Sequence, residues 1–535
     1  MKVLVVGAGA SGVHFALTAL QRGFDVTMID VGHAGTAVVA PHASYRALKH
    51  ELADPVSYFL GETYSGAVLP GPKSSEYYGL PPSKDYVFAT PNGFSYAIDG
   101  LAPLFSFAGG GLAQAWTAGA YPLTDGDLAD FPFAAATLAP HFDEVAERIG
   151  VAGDIDDLSH TFPGHRSLHD PLTLDESSRL LLERYRDRRH KLPSSVRLGR
   201  SRQAVLSRGA GERDGCRYCG RCLWGCPNGA LYTPSMTLQA CAAYRNFSYK
   251  SRRIASWFAL APNGEIERLV SFDAESGIEH NDSADVYALA CGALGTSNLF
   301  LRSIYRAKGE IVELGGLMDN RQILAPFFHS AMLGKAYNPD SYQYHQLAMH
   351  IVGETPRDEV HGQITTLKTA DTQPIFQALP LDTKSAVEAF ATTRVCLGVV
   401  NLNFADWRRP ENFATLSRTD RDSDQMPILS LRYRPATGEA DRLREALATT
   451  RRFFGQLGAP IVPGMTHVRP MGASVHYAGT LAMSTVRLPG RVSPTCQSYD
   501  ISNLVVVDGA CLPSLPAKNI TFTLMANAVR VAHAL

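Results

Sequence analysis

The chain has 535 residues, 45% of them apolar and 19% charged, proportions that suit a globular enzyme with roughly two to four domain-sized units. Its 50 basic and 51 acidic residues leave a formal charge of −1, so there is no cationic surplus for nucleic-acid phosphates and no polybasic run for a membrane surface. No apolar stretch has the length of a membrane span, and the clustering of four of the nine cysteines between residues 216 and 226 is unlike a secreted disulfide framework; together these features predict a cytoplasmic protein.

The first predicted element is a buried strand over residues 2–6 (KVLVV), a short β-branched run. A G-x-G-x-x-G turn follows: Gly7, Ala8, Gly9, Ala10, Ser11 and Gly12. The stretch VHFALTALQRG then has helical spacing and stops at Gly23, and DVTMID forms a second strand closing at Asp30. Each part suits a bound dinucleotide. Gly7 permits the tight turn, Gly9 lets backbone approach a pyrophosphate, and Gly12 lets helix and strand pack closely. The helix start, Ala10 and Ser11 included, offers free N–H groups to phosphate, and Asp30 can accept hydrogen bonds from a ribose diol. An apolar N-terminus can also mark a signal peptide, but cleavage would destroy this motif. The motif alone does not separate FAD from NAD.

Residues 35–100 read as irregular. A second glycine-rich turn over 105–120 contains Gly110 and Gly111 and ends beside Trp116. Residues 247–290 read as a β-meander leading to a buried strand, VYALA, then Gly292 and a helix. Residues 310–465 lack a βαβ rhythm, and their best-defined element is the helix GEADRLREALATTRRFFGQLG. The strand LVVVD closes at Asp508, and a Pro-rich turn leads through Thr521 into a final helix.

The run Cys216-x2-Cys219-x2-Cys222-x3-Cys226-Pro227 has the spacing with which bacterial ferredoxins wrap an iron–sulfur cluster. Zinc suits it less, since structural zinc sites take two separated C-x2-C knuckles. Only one run exists. Either all four thiolates wrap one cluster, or three do, with Cys241 the nearest remaining thiol; 3Fe-4S and 4Fe-4S both stay open, as does a purely structural cysteine loop.

Taken together, these motifs resemble the glucose–methanol–choline oxidoreductases. The resemblance rests on GAGASG with Asp30, on AGGGLAQAWTAGAYPL, on LACGALGTSNLFLRS, and on VHYAGTLAMS followed by NLVVVDGACLPSLPAKNITFTLMANAVRVA. The loop at 109–116 lacks the family's usual serines. The resemblance implies an α/β fold, a Rossmann-like FAD-binding domain with an inserted mixed α+β substrate domain. The former would comprise residues 1–35, 86–130, 200–310 and 466–535, and the latter 36–85, 131–199 and 311–465. Gly110, Gly111, Trp116, Gly292, Asp508 and Thr521 would join the N-terminal motif around FAD. His476 matches the catalytic histidine of the family and would act as base, its pKa near ~6.5 allowing both protonation states near neutrality. Asn519 matches the second active-site position and would orient the substrate, although Asn also favours helix N-caps. Among 17 histidines, His467 is the nearest competitor. The implied reaction is FAD-dependent oxidation of a small-molecule alcohol, a sugar or polyol favoured, with electrons passing through the cluster to a protein or quinone. An O2-using oxidase and a non-redox lyase on the same fold are the alternatives. Tyr337, Tyr342, Tyr344 and His345 suit either stacking on a sugar ring or ordinary loop packing.

Overall fold

The structure, a computed structural model, describes residues 1–35, 39, 40, 42–64, 66, 81–164, 167–366 and 379–535. Of the 36–85 segment assigned from sequence to the substrate domain, residues 36–38, 41, 65 and 67–80 therefore lie outside the described residues.

Strand β1 (Lys2–Val6) is followed by helix α1 (Ala10–Gln21) and strand β2 (Asp25–Ile29). The β-branched run gives β1 its extended backbone, and all but its first residue are buried. α1 stops where the sequence predicts. Gly23 takes φ +83°, its N–H donates to Leu20 O at 2.9 Å, and the Phe24 N–H donates to Ala19 O at 3.1 Å, a left-handed closure that L side chains resist. Helix α2 (Ala135–Ile149), strand β3 (Phe247–Lys250), strand β4 (Val286–Leu289), helix α3 (Gly292–Lys308), strand β5 (Leu504–Val506) and helix α4 (Thr521–Ala534) complete this half. The five strands form one wholly parallel sheet, ordered β5-β4-β1-β2-β3. A parallel sheet needs cover on both faces, and α1 is accordingly buried along Ser11–Leu20, with α4 packed against it. This is the Rossmann-like arrangement, drawn from both ends and the middle of the chain.

The second half centres on a six-stranded antiparallel sheet, in the order 467–468, 322–328, 397–404, 360–366, 347–351 and 196–200. Side chains alternate across its two faces. Ile323, Ala325, Phe327, Val360, Ile364, Val400 and Leu402 join one apolar cluster with Leu181, Tyr185, Phe453 and Phe454 of the helices at 176–188 and 439–456. The intervening positions Gln322, His361, Gln363, Asn401 and Asn403 are polar yet buried. The sheet thus presents a polar face away from those helices, and that face walls the site described below. Smaller sheets join 253–260, 266–273 and 279–282, and join 314–315, 413–421, 427–432 and 96–99. Among the described residues no helix is long and apolar enough to cross a membrane.

Candidate active site

At the N-terminal turn the glycines have distinct steric reasons. A Cβ on Gly7, whose φ is +104°, would lie 2.4 Å from the Ala290 carbonyl oxygen, and one on Gly12 would lie 2.0 Å from the Gly7 oxygen. Both are fixed by contact between the turn and the end of β4. Gly9 has nothing nearer than 4.0 Å to a built Cβ, so its face stays open for a ligand. Gly111 approaches it from above: a Cβ there would come 3.3 Å from the Gly9 Cα. The two glycine-rich turns, remote in sequence, therefore face each other. Gly110 is left-handed, and Gln114 reaches back to it, donating to Gly109 O at 2.8 Å. α1 has no side-chain cap at Gly9, which leaves first-turn N–H groups, those of Ala10 and Ser11 among them, for an anion. α3 begins at Gly292, likewise uncapped and with open space where a Cβ would stand.

Two acids follow. Burial lifts Asp30 to a pKa of about 7, against opposing hydrogen bonds from the Ala8 and Val31 N–H groups and from the Tyr249 hydroxyl 3.4 Å away. Such a carboxyl suits the paired donors of a ribose diol. Asp508 is buried and raised to about 6. It accepts from Thr296 Oγ1 at 2.5 Å and from the Ala510 N–H at 2.9 Å, tying α3 to the turn after β5. The open glycine cradle, the uncapped start of α1 and the accepting Asp30 carboxyl form a set of groups that fits a dinucleotide.

The second centre lies where the C-terminal segments meet the polar sheet face. A cavity of about 60 Å³ is lined by Trp116, Gln322, Gln363, His476, Asn519 and Thr521, among others. Trp116 is held by its indole N–H, which donates to Tyr232 O at 2.8 Å. His476 follows Val475, a β-branched residue at φ +59°, a conformation that persists only where surroundings over-determine it. Asp319 does so. It accepts the Gly472 N–H at 2.6 Å and the Ser474 hydroxyl, while Ser474 Oγ accepts the His476 N–H at 3.0 Å. Burial raises Asp319 to a pKa of about 7. His476 itself is lowered to about 4, first by burial and then by Arg469, so its ring is neutral at ordinary pH. Its Nδ1 lies 3.0 Å from Asn320 Oδ1, and its Nε2 lies 3.5 Å from Asn519 Nδ2. Asn519 Oδ1 accepts from Gln363 Nε2 at 2.7 Å. Asn519 is not the cap of α4: that helix begins after Ile520, without a side-chain cap.

Other sequence candidates fall elsewhere. His467 is exposed on an edge strand. Tyr337 lies under the Arg394 guanidinium at 3.4 Å, Tyr342 packs edge-on to Tyr344, and the Tyr344 hydroxyl donates to Cys222 O at 3.4 Å. None of these tyrosines lines the cavity. His345 stands behind its wall, Nε2 3.4 Å from Gln363 Nε2. Sequence reading missed Asp319, Asn320, Gln322 and Gln363. The two glutamines had a signal, since each is a polar residue beside an isoleucine in a mostly buried strand; Asp319 and Asn320 lie in no motif.

Residues 409–528, which include His476 and Asn519, match the GMC oxidoreductase C-terminal domain. The chain is an FAD-dependent oxidoreductase acting on CH–OH groups. It is similar, at 24% identity over 100% of its length and 91% of the relative's, to 6'''-hydroxyparomomycin C oxidase of Streptomyces lividus. Paromamine 6'-oxidase of Streptomyces fradiae is 22% identical over 99% of this chain and 90% of its own. In fold it is similar to Aspergillus oryzae RIB40 formate oxidase, with a TM-score of 0.64 at 12% identity, covering 99% of this chain and 97% of the other.

The oxidoreductase also carries the cysteine run, in loops beside a buried Arg221 that donates to the carbonyls of Val39, Ala40 and Ala43 at 2.7, 2.6 and 3.1 Å. The four cysteines are free thiols. Burial pushes Cys216 up to about 11 and raises Cys219 and Cys222, and like-charge repulsion links every pair among the four. All four thus lie within electrostatic reach of one another. No three of their sulfurs lie within 4.8 Å of one another among the described residues, whereas ~2.3 Å Zn–S bonds would hold tetrahedral sulfurs about 3.8 Å apart. The spacing is wider than one ion needs. Cys241 is separate: its thiol donates to Val13 O in α1 at 3.7 Å. One other group, His141, Glu144 and His533, has ligand atoms within 4.8 Å. Glu144 is paired there with Arg148 and, at 2.9 Å, with His533, and Arg530 lies close enough to depress His141. These groups are accounted for as an ionic contact between α2 and α4.

Proposed function

We propose that this enzyme oxidises a hydroxyl group on a sugar-like or polyol substrate, with His476 as the base that takes the hydroxyl proton. The observation that carries the reading is a neutral imidazole whose Nε2 faces Asn519 across a cavity lined by amides. A neutral imidazole accepts a proton without first losing one. Asn519 holds the substrate oxygen beside Nε2, and Gln322 and Gln363 supply the directional donors and acceptors that a polyhydroxylated ring requires. The similarity to enzymes named for aminoglycosides supports the sugar class. FAD, when bound, supplies the hydride acceptor. Gly7, Gly9, Ala10, Ser11, Gly12 and Asp30 would hold its dinucleotide end, while Gly110, Gly111, Trp116, Gly292, Asp508 and Thr521 would surround the rest. The FAD-binding domain would then be residues 1–35, 86–130, 200–310 and 466–535, with substrate specificity set by the remainder.

Cys216, Cys219, Cys222 and Cys226 would hold a 3Fe-4S or 4Fe-4S cluster that passes electrons to a quinone or protein acceptor. The ferredoxin-like C-x2-C-x2-C-x3-C-P spacing supports this. A second reading, direct use of O2 with a structural cysteine loop, is favoured by the oxidase activity in the relatives' names.

The test is anaerobic reduction of the purified holoenzyme by a panel of aminoglycosides, glycosides and polyols, with iron and acid-labile sulfide counted per flavin. Flavin bleaching by a sugar-like alcohol supports the oxidation, and absence of bleaching by every alcohol leaves the lyase alternative. Iron and sulfide with a cluster EPR signal support the relay; their absence, with rapid reoxidation by O2, selects the oxidase. Because His476 is protonated only below about pH 4, kcat falls as pH drops through that value, and a limb near 6.5 would argue against this buried base.

A further inference from the structure

We infer that Asn320 fixes the tautomer of His476, so that the proton is carried on Nδ1 and the lone pair is presented at Nε2. The inference deepens the proposed function and rests on His476 being the base. Asn320 is buried, at 1% exposure, in the segment that leads into the 322–328 strand, far in sequence from the ring it touches. Which way its amide points is decided by its other partners. Nδ2 donates to the backbone carbonyls of Phe404 at 2.7 Å and Pro516 at 3.1 Å. Carbonyl oxygens only accept, so the NH2 group must occupy that side, and Oδ1 must face His476 Nδ1 at 3.0 Å. An amide oxygen cannot donate. The proton of the neutral ring therefore belongs on Nδ1.

Asn519 reaches the same result from the opposite side. Its Oδ1 accepts from Gln363 Nε2 at 2.7 Å, which turns its NH2 group towards His476 Nε2, 3.5 Å away. A donor faces a lone pair there, not another N–H. The backbone carbonyls fix the Asn320 amide, and the Gln363–Asn519 pair is compatible with the same protonation pattern. Burial keeps the ring neutral, and a neutral ring has two tautomers, only one of which has a base on the cavity side. Asn320 is in these terms a positioning residue. Its two carbonyl partners come from the 397–404 strand and from the turn before α4, so the tautomer depends on both halves of the molecule being docked.

The test compares Asn320→Leu and Asn320→Asp holoenzymes with wild type and with His476→Ala, by steady-state kinetics and by NMR of ring nitrogens in 15N-histidine-labelled protein. The wild-type His476 signal, assigned by its loss in His476→Ala, shows a protonated Nδ1. N320L lowers kcat by about tenfold or more, within the range general-base catalysis contributes, leaves KM within about twofold, and loses the fixed Nδ1–H pattern. N320D keeps an accepting oxygen towards Nδ1, its other oxygen holding the proton that the Phe404 and Pro516 carbonyls demand, so it restores the Nδ1–H pattern and part of kcat. A protonated Nε2 in wild type, or N320L with wild-type kcat and an unchanged ring pattern, overturns the inference. Should N320L fail to fold, the wild-type tautomer and the N320D ring pattern decide. If His476→Ala stays active while the Nδ1–H still depends on Asn320, the base reading fails and the tautomer assignment stands.

Discussion

The N-terminal glycine turn and the surroundings of His476 in this oxidoreductase are built on opposite plans. Around Gly7–Asp30 the specification is local and made by backbone: a strand, three glycines whose missing Cβ atoms would meet carbonyl oxygens or a ligand, and a helix start. Around His476 it is dispersed and made by side chains: Asp319 and Asn320 before one strand, Gln363 within another, Ser474 and Asn519 in separate turns. The first plan tolerates little change at few positions. The second spreads its requirements over a hydrogen-bond network, where loss of one member is felt by the next.

The comparison is broken most directly at His476. His476→Ala should lower kcat by about 10²–10⁴-fold while flavin content per chain stays unchanged; loss of flavin as well would mean that the two regions are not separable. At the glycine turn, Gly12→Ala should give the reverse, with apoprotein recovered and about tenfold or greater loss of FAD affinity, because its Cβ would lie 2.0 Å from the Gly7 oxygen and displace the turn. Equilibrium flavin titration checks it. Gln363→Leu sharpens the network side: Asn519 Oδ1 loses its donor, and kcat/KM should fall about tenfold, against about 1–3 kcal/mol for an unmet buried polar group.

The smallest effect concerns Asp30 in apoprotein. Its pKa is raised from 3.8 to about 7, so the folded state holds its proton more tightly than the unfolded chain does. That contribution to stability is complete below about pH 4 and is lost as pH rises through about 7. Relative to Asp30→Asn, wild-type Tm should therefore decline across this window. The buried histidines, His476 and His345 among them, are shifted downward and pull the other way, but equally in both proteins. A constant Tm difference would mean that Asp30 is not desolvated.

The same contrast explains what could be read from sequence. The parallel sheet, its glycine turn and the Gly23 stop were legible because backbone sterics act between near neighbours. His476 and Asn519 were legible only through motif resemblance, and the structure shows the two side chains 3.5 Å apart. Asn320 and Gln363 were not legible, because their placement depends on strand register. A one-residue slip of 360–366 would turn Gln363 towards the helices and Val360 towards the cavity. In the loop at 109–116, Gln114 makes a local polar contact with the Gly109 carbonyl.

The order β5-β4-β1-β2-β3 also governs when this protein can become itself. β1 begins at residue 2, yet its neighbour β4 begins at residue 286, and β4's own outer partner begins at 504. For most of synthesis β1 therefore has β2 beside it and an open edge on the other side, a surface prone to mispairing. Closing such distant pairings is slow, since loop entropy must be met before any contact forms. A flavin site drawn from all these segments would be complete only once the last of them is made, so refolding from denaturant should be slow and should leave flavin-free, aggregation-prone chains.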